Sequence, residues 1–277
     1  MNMDCYLRFP HFKSRAVTLS YDDGRIEDLR LVDVMRRYGL KGTLNLNSER
    51  LSEAGDEFHP TLNDFRALKE SGDIEIALHG AKHLRLTKFP TPLVLREIMA
   101  DREALEKMFG TVVRGMAYAY GDYNDEVISA LSLSGVAYAR LATSDSSFDI
   151  PSDWLTLSPT AKHMNQNLFE LTDAFLAPDT RGAWGKAPRL FYLWGHSIEF
   201  ELYKQWDIIE RFGEKMAGCD DIWHATNIEI YNYVEAFRRL VFTLDLSYVE
   251  NPSAYPVYLN NGKCDLVVMP GETVRFI

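Results

Sequence analysis

Cysteine is scarce. Cys5, Cys219 and Cys264 are the only three in 277 residues, and they lie far apart. That excludes a disulfide framework and any zinc site built from clustered thiolates. The three read as reduced thiols of a cytoplasmic protein. Basic residues are outnumbered, with 30 Lys and Arg against 40 Asp and Glu, a net charge of −10. That balance speaks against non-specific binding to nucleic acid or to an anionic membrane. No stretch reaches the roughly 18 apolar residues of a membrane span. The opening run Met1-Asn2-Met3-Asp4-Cys5-Tyr6-Leu7-Arg8-Phe9 has no basic stretch followed by an apolar core, so no secretory leader is expected. A glycine-rich phosphate loop, a Ser-His-Asp motif, internal repeats and low-complexity linkers are all missing.

What is present fits a folded enzyme. Hydrophobic residues make up 46% and charged residues 25%, which excludes a disordered chain, and the length suits one barrel-sized α/β domain. Short apolar strands are expected at 17–21, 41–47, 74–78, 116–120, 136–140 and 189–194. Helical segments are expected at 26–38, 62–71, 93–109 and 125–134, with Gly39, Gly72 and Gly110 as stops. Repeated βα units imply a parallel sheet or barrel. Residues 246–277 differ: alternating residues around Asn260-Asn261-Gly262 read as a β-hairpin, too small to fold alone. The division expected is therefore 1–245 as the catalytic domain and 246–277 as a β extension packed on the barrel or covering a subunit edge. Association into a homo-oligomer is left open.

Two segments carry chemistry. Ala16-Val17-Thr18-Leu19-Ser20-Tyr21 is an apolar strand that runs into Asp22-Asp23-Gly24. Two adjacent carboxylates at a buried strand end repel each other, and such a pair commonly binds a cation or moves protons. The plain alternative is the acidic start of a helix. The second segment, Ile74 to Leu78, runs into His79-Gly80-Ala81-Lys82-His83. Histidines four apart can reach one ion from one helical turn. With the Asp pair they offer two nitrogens and a carboxylate oxygen, a set suited to one divalent ion of the zinc type with an open position for water; manganese, cobalt, nickel and iron are compatible. His196 directly follows the late strand, with Glu199 behind it, either orienting it or simply exposed. Trp223 reads as core or as a sugar-stacking ring, and His163 as a surface residue in preference to one lining the cleft.

These segments resemble the polysaccharide deacetylase family, also called NodB-homology or carbohydrate esterase family 4. Ser20-Tyr21-Asp22-Asp23-Gly24 is similar to its T-F-D-D-G motif, and His79-Gly80-Ala81-Lys82-His83 to its H-S/T-x-x-H motif. Met116 to Asn124 is similar to the R-x-P-Y-G segment, and Leu193-Trp194-Gly195-His196 to the L-x-H motif. The motifs occur in family order over about residues 16–200.

The resemblance implies a distorted, incomplete (β/α) barrel and metal-dependent hydrolysis of an N-linked acetyl group on a sugar, an oligosaccharide or a related N-acyl compound. It implies Asp22 as general base, His196 as general acid, and Asp23, His79 and His83 as metal ligands. The backbone N–H near Tyr120 would face the oxyanion. Where the family has Arg and Pro, this chain has Ala117 and Ala119. Asp22 therefore lacks its usual partner, and Arg140 is the expected substitute, with Arg114 second. Asp153-Trp154 loosely matches the family's Asp-Trp pair, making Trp154 a substrate-binding candidate or a packing residue. A catalytically impaired carbohydrate-binding relative, or a hydrolase of another non-peptide C–N bond, are the competing readings.

Overall fold

The apolar segments pair side by side in one sheet. The computed structural model describes residues 5–178 and 187–276. In chain order the elements are β1 (Tyr6–Arg8), β2 (Arg15–Asp22), α1 (Asp28–Arg37), β3 (Gly42–Leu46), α2 (Leu62–Glu70), β4 (Ile74–Leu78), α3 (Thr91–Phe109), β5 (Gly115–Ala117), α4 (Asp125–Leu133), β6 (Tyr138–Arg140) and β7 (Ala161–Lys162). They continue with α5 (Leu168–Leu176), β8 (Arg189–Gly195), α6 (Ile198–Leu202), α7 (Trp206–Ala217), β9 (Ile222–His224), α8 (Asn227–Arg238), β10 (Val241–Phe242), β11 (Tyr248–Glu250), β12 (Val257–Asn260), β13 (Asp265–Val268) and β14 (Thr273–Arg275).

The main sheet runs β6-β5-β4-β3-β2-β8-β7 with every pairing parallel. β9 pairs with β2 over Arg15–Val17, and β3 takes up β2 from Leu19 onward. Among the described residues no ladder joins β6 to β7; one parallel bridge, Arg140 to Leu157, stands at the opening. The sheet is a curled, incomplete (β/α) barrel.

Period-two alternation assigns the faces of β2. Val17, Leu19 and Tyr21 join the large core with the helical stripe Leu31, Val32, Val34 and Met35 of α1. Each such buried side chain contributes about 1.5–3 kcal/mol. The alternate residues turn inward, where Thr18 Oγ1 donates to Asn227 at 2.7 Å and Ser20 Oγ accepts from Asn45 Nδ2 at 2.8 Å. The barrel interior thus carries hydrogen-bonded polar side chains. Near the start of β4, the partly buried Glu75 accepts from Thr43 Oγ1, Tyr138 Oη and the Ile228 N–H at 2.8–2.9 Å.

Local signals account for most element ends. Thr61–Asp64 and Thr226–Glu229 form capping boxes on α2 and α8, and Gly110 ends α3 in the left-handed region at φ 59°. Two expectations need adjustment. The strand expected to reach Tyr120 stops at Ala117, because 119–121 turn tightly with Tyr120 at φ 60°. The helix after the Asp pair begins at Asp28, so neither Asp22 nor Asp23 caps it. The C-terminal strands form two small antiparallel sheets, β1-β12-β13 and β10-β11-β14, so strands on both sides of position 245 share sheets.

Candidate active site

The carboxyl ends of β2, β4 and β8 converge, as parallel topology requires of strands that start at one end. Asp22 is the last residue of β2 and 3% exposed; Arg140, the last residue of β6, is fully buried. Arg140 Nη2 donates to both oxygens of Asp22, while Nη1 donates to the Leu141 carbonyl at 3.1 Å and the guanidinium lies 4.4 Å from the Trp194 ring. Asn45 Nδ2 donates to Asp22 Oδ1 at 2.8 Å. Burial pushes the Asp22 carboxyl up, but Arg140, His79 and His196 outweigh it and hold the group below its ordinary range. Arg114 lies elsewhere, its guanidinium 5.5 Å from the Tyr231 ring.

The chain turns back sharply after Asp22. Asp23 sits at φ 78°, His83 at 56° and Tyr120 at 60°, three non-glycine residues in the left-handed region around one site. Such conformations cost about 1–3 kcal/mol each and collect where geometry serves function. Gly24, also left-handed at φ 63°, has no room for a side chain: a Cβ would lie 2.9 Å from Leu46.

These turns bring Asp23 between the two histidines. Asp23 Oδ1 is 3.8 Å from His79 Nε2 and 3.5 Å from His83 Nε2, and the three ligand atoms lie within 4.8 Å of one another. Ligands about 2.1 Å from a tetrahedral ion stand about 3.4 Å apart, so the set fits a small divalent cation with little adjustment. His79 Nδ1 is 2.9 Å from the Ala117 carbonyl, which fixes the proton there and leaves Nε2 as the free donor atom. Burial lowers the pKa of both rings, that of His83 to about 4, so both are neutral near pH 7 and ready to ligate. Arg50 Nη1 shares Asp23 Oδ1 at 3.0 Å.

His196 follows β8, with Nε2 3.9 Å from an oxygen of each of Asp22 and Asp23. Burial lowers its basicity, but Glu199 and the two aspartates more than reverse this, raising its pKa. Tyr120 is 53% exposed, its ring edge-on to His83 at 4.6 Å. Asp22, Asp23, His79, His83, His196 and Arg140 therefore gather here directly, with Tyr120 at the rim. Trp154 does not join them. It is buried in a separate cluster, donating Nε1–H to Glu235 at 2.8 Å.

Sequence reading missed Asn45, Arg50 and Asn47, whose Nδ2 bridges the His79 and Gly80 carbonyls at 2.9 and 2.7 Å. Leu44 and Leu46 mark the outer face of β3, so the alternation already put the two asparagines on the inner one. His163, expected at the surface, is 1% exposed.

Comparison with known proteins bears on the family resemblance and the fold. A family model described as polysaccharide deacetylase matches residues 10–139. The Bacillus subtilis (strain 168) protein YxkH, named provisionally as a polysaccharide deacetylase, is 24% identical over 171 residues, covering 61% of this chain and 54% of YxkH. The chain thus matches about half the length of that curated relative. Among solved structures, a provisionally named polysaccharide deacetylase from Mycobacterium smegmatis has a TM-score of 0.59 at 16% identity, covering 86% of this chain and 96% of that one. The Xyl-CE4 domain of a multidomain xylanase from the hindgut metagenome of Trinervitermes trinervoides has a TM-score of 0.55 at 15% identity, covering 81% and 92%. At these identities the two structures bear on the fold alone.

Proposed function

We propose that the chain, which matches the polysaccharide deacetylase family model over residues 10–139, is a metal-dependent hydrolase removing an N-linked acetyl group from a sugar, an oligosaccharide or a related N-acyl compound. The observation that carries this reading is the convergence of Asp23, His79 and His83 beside the buried Asp22–Arg140 pair. Asp23, His79 and His83 would hold one divalent ion, zinc by the ligand chemistry, with manganese, cobalt, nickel or iron also compatible. Such an ion supplies positive charge that acidifies water and polarises a carbonyl.

The remaining steps belong to side chains. Asp22, kept ionised by Arg140, accepts a proton from water as the water oxygen bonds to the acetyl carbon. The backbone N–H at Tyr120 faces the oxygen on which negative charge develops. His196, carrying a proton on Nε2, delivers it to nitrogen as the C–N bond breaks, because an amide anion is a poor leaving group. Acetate and a free amine result.

Arg140 also speaks against a binding-only relative. The charge partner that Ala117 removes from one strand is supplied from the next one over, in β6. The test is acetate release from N-acetylglucosamine oligomers by wild type and Asp22→Asn. Wild-type release that disappears in a variant with full metal content supports the reading; equal release by the variant would refute Asp22 as the base.

A further inference from the structure

A charged cluster stands behind His196, outside the steps just described. His163 follows β7, and its backbone N–H donates to the Trp194 carbonyl at 2.8 Å. The buried imidazole stacks on Tyr21 at 5.6 Å and 12°, and on Phe200 at 4.1 Å and 27°. A third side lies against Gly195, where a Cβ would stand 2.0 Å from His163 Nδ1. The ring is therefore fixed on three sides, and the residue just before His196 must be glycine to admit it.

The fourth side meets Glu199. His163 Nε2 is 3.2 Å from Glu199 Oε2, and Lys162 Nζ donates to Oε1 at 2.6 Å. The same Oε2 lies 3.8 Å from His196 Nδ1. Lys162 hydrogen-bonds one carboxylate oxygen and the buried His163 ring packs against the other without a hydrogen bond, so the rotamers open to a glutamate on a free helix surface are restricted here. Catalytic contacts of this kind are often long without substrate and tighten in the reacting complex. The geometry is self-consistent only if the His196 ring points Nδ1 at Glu199 and Nε2 at Asp22 and Asp23.

We propose that His163 and Lys162 are positioning residues that clamp Glu199 against His196 Nδ1, fixing the ring orientation from which Nε2 hands its proton to the leaving amine. The chemical purpose rests on the deacetylase reading above.

The test compares an N-acetyl sugar oligomer with para-nitrophenyl acetate, whose nitrophenolate departs without being protonated. Glu199→Gln, Lys162→Met and His163→Leu are each expected to lower kcat on the amide about 10- to 100-fold, with KM and ester turnover little changed. His163→Gln, which retains a donor, is expected to keep more of the amide rate than His163→Leu. In the metal-free protein, the ring-nitrogen NMR signals of His196 should show one tautomer in wild type and a mixture in Glu199→Gln. Equal losses on both substrates, no loss on the amide, or an unaltered His196 tautomer would each overturn the clamp. Failure of metal-loaded wild type to release acetate from any amide instead overturns the deacetylase reading, and the tautomer measurement then still decides the clamp.

Discussion

Arg140 meets Asp22 with both residues removed from water, the guanidinium reaching across from β6 to the end of β2. A buried ion pair of this kind adds little net stability, yet breaking it strands a charge. Arg140→Met is therefore expected to cost about 3–5 kcal/mol in a denaturant titration and to abolish most turnover. Asp22→Asn with Arg140→Met is expected to recover part of that stability and none of the activity. Additive stability losses in this double-mutant cycle would contradict the pairing.

Metal binding is expected to separate the roles proposed for the adjacent aspartates. His79→Ala and His83→Ala are expected to lower metal affinity strongly, whereas Asp22→Asn retains it, read as metal content after dialysis. Arg50→Ala is expected to tighten binding about two- to fivefold, because it frees Asp23 Oδ1 from a competing hydrogen bond and removes a nearby positive charge that is 36% exposed. Weaker binding in Arg50→Ala would show that this arginine orients the ligand instead.

Glu75 makes stability depend on pH. Burial raises its pKa from 4.5 to about 7. Between those values the folded protein holds a proton that the unfolded chain has released, so stability from this group is full below about pH 4.5 and declines as pH rises to about 7. The decline is up to about 3 kcal/mol. Glu75→Gln is expected to flatten this limb of a melting-temperature profile; an unchanged slope would place the titration elsewhere, at Asp28 or Asp101, whose pKa values burial also raises, to about 7 and about 6.

The barrel was legible because period-two strands, helix stops and capping residues act locally. β2, β3 and β4 stand close to their expected ranges, and Gly110 ends α3 as its position suggests. Arg140 was legible only as a candidate, since the register that lays Ala117 beside it is a property of the sheet. The burial of His163 leaves no local mark in the sequence, because its shelter comes from Tyr21, Gly195 and Phe200, residues far away in the chain. Trp154 shows the converse: a suggestive neighbour, Asp153, did not carry it to the site, because its ring packs with α8 and hydrogen-bonds Glu235. The strands β1, β9 and β10 are two or three residues long, too short for a periodic signal.

The most direct measurement is metal content of the purified protein alongside acetate release from N-acetylglucosamine oligomers, with and without chelator. About one divalent ion per chain is expected, lost in His79→Ala, together with acetate release that the chelator stops and added metal restores. Failure to bind any divalent metal under loading conditions, or acetate release indifferent to chelation, would contradict the assignment of Asp23, His79 and His83.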